Sequence, residues 1–159
     1  MRDGIRVGLF FGTTSGVITT CGLLTGLAAG TQSLAAVLGG ILVIAVADSL
    51  SDALGIHLSE ESAPDTGQRH VWLATASTFL AKFVVASSFA LPVALLPLSQ
   101  GVPAALLWGA TLLALLSWQL ARMQGERPGP IILEHLVIGV VVIGLSHAVG
   151  LWVKQLFGS

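Results

Sequence analysis

Residues 34–58 read LAAVLGGILVIAVADSLSDALGIHL, and only two of their side chains, Asp48 and Asp52, are charged. About 20 mainly apolar residues are enough for a helix to cross the hydrocarbon core of a bilayer. The chain contains four further apolar blocks of similar length, separated by short polar or glycine-containing stretches. The sequence therefore predicts an all-α membrane protein whose five transmembrane helices form a single transmembrane domain over residues 1–159. The predicted helices cover about 7–29, 34–58, 71–98, 102–120 and 131–157.

The composition separates this chain from soluble proteins and from nucleic-acid-binding proteins. Charged residues make up 9% of it and hydrophobic residues 54%, whereas a typical soluble domain has about 25% charged residues. The formal net charge of −1 provides no excess of basic residues for phosphate groups, so nucleic acid is not expected as a partner. Membrane lipid is the expected surrounding.

Cationic residues predict the orientation of the helices. If the helices alternate in direction, five cationic residues fall on one side of the membrane: Arg2, Arg6, Arg69, Arg122 and Arg127. Lys154 falls on the other side, and Lys82 lies within the third helix. Because positive residues are enriched in cytoplasmic segments, we expect the N-terminus in the cytoplasm and the C-terminus outside. Pro92 and Pro97 should bend the far end of the third helix.

Three ionisable residues are expected deep in the membrane, where each costs roughly 2.5–3.5 kcal/mol on insertion scales. Asp48 and Asp52 are four residues apart and share one face of the second helix. Counting 1.5 Å per residue from the predicted cytoplasmic edge places Asp48 and Lys82 at the same depth of about 15 Å. We therefore expect Lys82 to pair with Asp48 or Asp52. The pair either only joins two helices or belongs to an ion path, in which a divalent cation balances the remaining negative charge.

A second set of carboxylates and imidazoles lies near the predicted cytoplasmic edge. Such groups are ligands for manganese, iron or zinc, although their spacing matches no closed tetrahedral site. A solvated loop is the alternative, and for Glu134 a helix-capping role is equally open. The set comprises His57, Glu60, Glu61, Asp65 and His70, with Glu134 and His135 at the start of the last helix.

The first helix carries two stripes of glycine with a spacing of four residues. Small residues at this spacing let two helix backbones approach closely in lipid. Five helices are few to enclose a path, so these stripes favour a homodimer with the first two helices at its centre. The stripes are Gly8, Gly12 and Gly16, then Gly22, Gly26 and Gly30.

Two stretches resemble the vacuolar iron transporter family. Residues 15–20 (SGVITT) and 26–30 (GLAAG) resemble the signature of its first helix, and residues 47–56 (ADSLSDALGI) resemble that of its second. The resemblance covers roughly residues 8–62, and the predicted topology extends it over the whole chain. It implies a homodimer of five-helix subunits that exports Fe²⁺ or Mn²⁺ from the cytosol against protons, along a path at the dimer interface.

The chain departs from this family at two metal-contacting positions. The aspartate of the family's first helix is Ser15 here, and the methionine of its second helix is Ile56, so both positions carry poorer ligands. The connection over residues 59–70 is also too short for the glutamate-rich cytoplasmic domain that some members carry. Asp48 and Asp52 stand at positions where the family has polar or acidic residues.

The resulting prediction is a homodimeric, proton-coupled transporter of divalent metal ions (Fe²⁺ or Mn²⁺) in a prokaryotic cell (inner) membrane. The metal is the substrate, and no permanently bound cofactor is expected. Lys82 is expected as the ion-pair partner within the site. The expected metal-contacting residues are Asp48, Asp52, Glu60, Glu61, Ser15 and Glu134.

Two other classes of function were compared with transport. An intramembrane enzyme would require Ser15 and His147 as a dyad, but these residues fall in opposite halves of the membrane, so we expect no enzyme. A non-transporting membrane protein of the same fold, with a purely structural ion pair, stays open. Access of water to Asp48 and Asp52 from both sides would distinguish it from a transporter.

Overall fold

The computed structural model describes residues 2–64 and 66–158, with side chains from Gly4 onward. Asp65, which the sequence analysis includes in the acidic set, lies outside the described residues. The described secondary structure is helical throughout. It consists of α1 (Arg2–Thr31), α2 (Leu34–Ser62), α3 (Gln68–Ser88), α4 (Ala90–Leu95), α5 (Leu98–Gln124) and α6 (Pro128–Phe157).

Five helices are long and apolar enough to cross a membrane, which confirms the predicted class. They are Gly4–Thr31, Leu34–Ser62, Gln68–Leu95, Leu98–Gln124 and Pro128–Phe157. The fourth is longer at both ends than the predicted 102–120, because its ends are set by backbone chemistry rather than by hydropathy. Pro97 precedes its first residue, and Gly125 ends it in the left-handed conformation at φ 72°, which glycine adopts without a steric penalty.

The third membrane-length segment is broken at Phe89, between α3 and α4. Pro92 has no backbone N–H, and its ring clashes with the carbonyl group four residues earlier, which belongs to Ser88, the last residue of α3. The helix is thus interrupted near Pro92, as the sequence predicts, whereas Pro97 lies outside this segment as the residue before α5. The segment ends at Leu95 rather than near residue 98, because Leu98 already begins α5.

Helix α1 lies at the centre of the bundle and contacts α2, α3, α5 and α6. The apolar core forms where α1 and α2 pack against α4 and α5. Its fully buried members come from every one of these helices and include Leu24, Ile41, Val93 and Ala105, with Phe89 at the break between α3 and α4. This arrangement buries one face of α1 and leaves the outer faces of α2, α5 and α6 to the surroundings.

Both glycine stripes of α1 pack against helices of the same chain. A Cβ atom on Gly12 would lie 2.5 Å from the carbonyl oxygen of Thr78 on α3. One on Gly26 would lie 3.2 Å from the carbonyl oxygen of Ser146 on α6. The stripe of Gly8, Gly12 and Gly16 is buried against α3, so its assignment to a homodimer interface is wrong. The stripe of Gly22, Gly26 and Gly30 contacts α6 but also lines a cavity between α1, α2 and α6, so its part in an interface stays a prediction. The homodimer itself stays a prediction.

Candidate functional site

Lys82 lies on the buried face of α3. This face repeats every three to four residues, and its other members are apolar or small: Val71, Ala74, Thr78 and Ala86. The Lys82 side chain is only 1% exposed. A buried ammonium group is strongly destabilising unless it is paired and hydrogen-bonded. The position of Lys82 therefore requires acceptors on the neighbouring helices.

Helix α2 supplies two carboxylates to Lys82. Nζ contacts Oδ2 of Asp48 and lies 2.5 Å from Oδ2 of Asp52. The Asp48 oxygen makes no hydrogen bond of good geometry, so we regard its short contact with Nζ as an ion pair. The spacing of four residues places both carboxylates on the same side of α2, as the sequence predicts.

Helix α1 supplies the third partner, Ser15. Its hydroxyl group donates a hydrogen bond of 2.6 Å to Asp52 Oδ2 and accepts one of 2.9 Å from Lys82 Nζ. An ammonium group has three N–H donors, and here they face two carboxylates and one hydroxyl. Ser15, Asp48, Asp52 and Lys82 are called the polar cluster below.

The charges of the polar cluster do not balance within it. Two carboxylates and one ammonium group give a formal charge of −1 when all three are ionised. Lys82 Nζ contacts both carboxylates, whereas the sequence predicts either Asp48 or Asp52 as its partner. The excess negative charge is thus shared between Asp48 and Asp52 rather than carried by one unpaired acid.

The carboxylates lie on the open side of the polar cluster. Asp48 is 30% exposed and Asp52 is 20% exposed, whereas Lys82 lies behind them. Asp48 and Ser51 line a cavity of about 420 Å³ along α2. A larger cavity of about 680 Å³ between α1, α2 and α6 shares Leu23 and Ile44 with it. A largely apolar groove therefore runs along the bundle and reaches the carboxylate of Asp48.

The other three predicted metal-contacting residues lie away from the polar cluster. Glu60 and Glu61 are eight and nine residues beyond Asp52 on α2, a separation of about 12–14 Å along the helix. Glu134 is exposed near the start of α6. Within the described ranges, no group of three or more His, Cys, Asp or Glu residues could hold a metal ion. The expected residues thus divide into a polar cluster at depth and separate groups near the helix ends.

The histidines near the helix ends have partners that the sequence did not identify. His70 Nε2 lies 2.8 Å from Glu60 Oε2, and His57 Nδ1 lies 2.9 Å from Thr75 Oγ1. His135 Nδ1 lies 2.7 Å from the hydroxyl of Ser117, which is buried on α5. Each pair joins two helices. Threonine and serine are too common in helices for their spacing to indicate such contacts in advance.

Comparison with known protein families, with curated proteins and with solved structures gives no match. The family resemblance therefore stays a prediction from the motifs of the first two helices.

Proposed function

We propose that the protein is a transporter of divalent metal ions of the Fe²⁺ and Mn²⁺ class, and that the polar cluster is its ion-binding position within the membrane. One observation carries the proposal: the polar cluster has a formal excess of one negative charge, and its Asp48 lines a groove in the middle of α2. Charged groups at this depth are costly and are typical of ion and proton pathways.

A purely structural role would need fewer charges. One lysine and one aspartate are sufficient to join two helices, and the second carboxylate adds a desolvation cost without a second cation. A cation that enters from the groove meets Asp48 first, and Asp52 lies one helical turn further along α2. The cation competes with Lys82 for the carboxylate oxygens, so Lys82 serves as the counter-ion when no metal is bound.

The homodimer belongs to the same proposal. Asp48 and Ser51 lie on an open face of α2, and a carboxylate that faces lipid at this depth is unfavourable. A second copy packed on the groove would cover both residues and enclose a path between the two subunits. The family resemblance further implies coupling to protons and export from the cytosol, with the N-terminus in the cytoplasm of a prokaryotic cell.

The non-transporting scaffold remains the second candidate. It is favoured by the three partners of Lys82, because a fully paired ammonium group locks α1, α2 and α3 together without any further ligand. In that case the polar cluster should contribute to stability alone.

Transport by the purified protein tests the proposal against the scaffold. Proteoliposomes loaded with a metal-sensitive dye should take up Mn²⁺ and Fe²⁺ faster than protein-free liposomes, under an imposed pH gradient or without one. Mg²⁺ at the same concentration should enter at the rate of protein-free liposomes. If no divalent metal enters faster than it enters protein-free liposomes under either condition, the protein is a non-transporting scaffold.

A further inference from the structure

The hydrogen bonds of Thr75 favour one tautomer of the His57 imidazole. The hydroxyl of Thr75 donates a hydrogen bond of 2.8 Å to the carbonyl oxygen of Val71. With that hydrogen engaged, the Thr75 oxygen is free to accept from His57 Nδ1, which lies 2.9 Å away. The neutral imidazole then has its hydrogen on Nδ1 and a free lone pair on Nε2.

That lone pair faces a second acceptor. His57 Nε2 lies 3.9 Å from Oε2 of Glu61, one turn further along α2. The separation is too long for a hydrogen bond, and in this tautomer neither Nε2 nor the carboxylate oxygen carries a hydrogen to donate. A cation between these two acceptors would bind to both.

The neighbouring histidine shows the contrasting arrangement. His70 Nε2 and Glu60 Oε2 are 2.8 Å apart, which is the distance of a hydrogen bond. One hydrogen lies between those two atoms, so no metal ion is needed there. The two pairs differ in this respect although they are close in sequence and similar in composition, and His70 therefore provides a matched control for His57.

The imidazole of His57 is held in place, whereas its carboxylate partner is adjustable. Trp72 packs edge-on against the ring, with 4.8 Å between centroids and an interplanar angle of 66°. Thr75 holds Nδ1 in the way that outer-shell groups orient histidine ligands of metals. The Glu61 side chain is 50% exposed, so a rotation of its torsion angles can bring an oxygen to a metal ion bound at Nε2.

We propose that His57 and Glu61 form a binding position for a divalent transition-metal ion at the end of the bundle where α2 ends and α3 begins. An imidazole nitrogen with one carboxylate favours Mn²⁺, Fe²⁺, Co²⁺ or Zn²⁺ over Mg²⁺ and Ca²⁺, which prefer oxygen ligands alone. Two protein ligands leave the remaining coordination positions to water, so the ion is held weakly and exchanges readily.

The inference rests on the proposed function for its biological role. In a transporter this position is where the metal first binds, and its His57 lies five residues beyond Asp52 of the polar cluster, about 7–8 Å along α2. The binding itself does not depend on transport. A substitution in the polar cluster can therefore abolish transport and leave metal binding at His57 and Glu61 intact. A substitution of His57 can abolish this binding and leave transport intact.

A fluorescence titration with CoCl₂ tests the proposal in detergent. The sequence has four tryptophans, and replacement of the other three by phenylalanine makes Trp72 the only one. Co²⁺ bound at His57 should quench Trp72 saturably, and Mg²⁺ should not. His57→Gln and Glu61→Gln should each weaken the apparent affinity at least about tenfold, whereas His70→Gln should leave it unchanged. Thr75→Val should weaken binding about 10–100-fold, as loss of an outer-shell partner does, and Thr75→Ser should retain it.

Equilibrium dialysis of Co²⁺ with the native tryptophans present provides a second measurement in case the triple phenylalanine variant does not fold. His57→Gln should lose one bound Co²⁺ per chain, and Asp52→Asn should keep it. If His57→Gln binds Co²⁺ as the wild type does in either assay, the proposal is wrong. If His57→Gln loses binding while no variant or wild type transports metal, the binding position stands and the transport function is wrong.

Discussion

Ser15 donates a hydrogen bond of 2.6 Å to Asp52 and so joins α1 to the ion pairs between α2 and α3. A neutral hydroxyl at position 15 leaves the polar cluster with a formal charge of −1. One lysine contacts both carboxylates, and several outcomes can be measured from this arrangement.

Ser15→Ala should lower the thermal stability of the protein in detergent. The change removes a hydrogen-bond donor from Asp52 and an acceptor from Lys82, and leaving buried polar groups without a partner costs about 1–3 kcal/mol. Thr111→Ala is the control, because that exposed hydroxyl bonds only to a carbonyl of its own helix. Equal stability of the two variants would mean that Ser15 contributes nothing to the polar cluster.

Lys82→Met should destabilise the protein strongly, because it leaves two carboxylates without their cation. Breaking a buried ion pair costs about 3–5 kcal/mol, and addition of Asp52→Asn should recover part of the loss. Lys154→Met, near the end of α6, should change stability by less than about 0.5 kcal/mol. A double-mutant cycle based on thermal unfolding measures the coupling. Additive losses would contradict the ion pair.

Gly12→Ala should destabilise each subunit rather than release folded monomers. The added Cβ would lie 2.5 Å from the backbone carbonyl of Thr78, and overpacking of this kind costs about 1–3 kcal/mol. Gly144→Ala on α6 meets nothing within 4 Å and should be neutral or slightly stabilising, since alanine favours the helix. Thermal unfolding measures the stability, and light scattering measures the oligomeric state. A Gly12→Ala variant that is stable and monomeric would show that Gly12 lies at the dimer interface.

Ser51→Cys should form a disulfide between two subunits in the membrane. Ser51 lies on the open face of α2 beside Asp48, and Cys21, the only native cysteine, can be replaced by serine beforehand. Thr111→Cys on the exposed face of α5 should stay monomeric under the same mild oxidation. Gel electrophoresis without reductant shows the result. Cross-linking of Thr111→Cys but not of Ser51→Cys would place the interface on α5.

The sequence predicted the features that depend on composition and on counting along one helix. Hydropathy predicted the five membrane-length helices, and Pro92 predicted the break in the third. The equal depth of Asp48 and Lys82 in the membrane predicted that Lys82 lies close to Asp48 or Asp52. These predictions need no knowledge of how a helix is rotated about its own axis.

Features that depend on helix rotation could not be predicted. In lipid the outside of a helix bundle is as apolar as its interior, so hydropathy does not show which helix a glycine stripe faces. Hydropathy therefore leaves open whether a stripe faces a second subunit or a helix of the same chain, such as α3 or α6. The participation of Ser15 and the contact between His57 and Thr75 likewise depend on the packing of neighbouring helices.

Mn²⁺ uptake by Asp52→Asn in proteoliposomes tests the central claim most directly. This substitution keeps the size of the side chain but removes the charge that a metal ion needs, so uptake should fall to the level of protein-free liposomes. Glu126→Gln, the same kind of change in the exposed connection between α5 and α6, should transport at the wild-type rate. Size-exclusion chromatography must show that all the variants are folded. Uptake by Asp52→Asn at the wild-type rate would contradict the account.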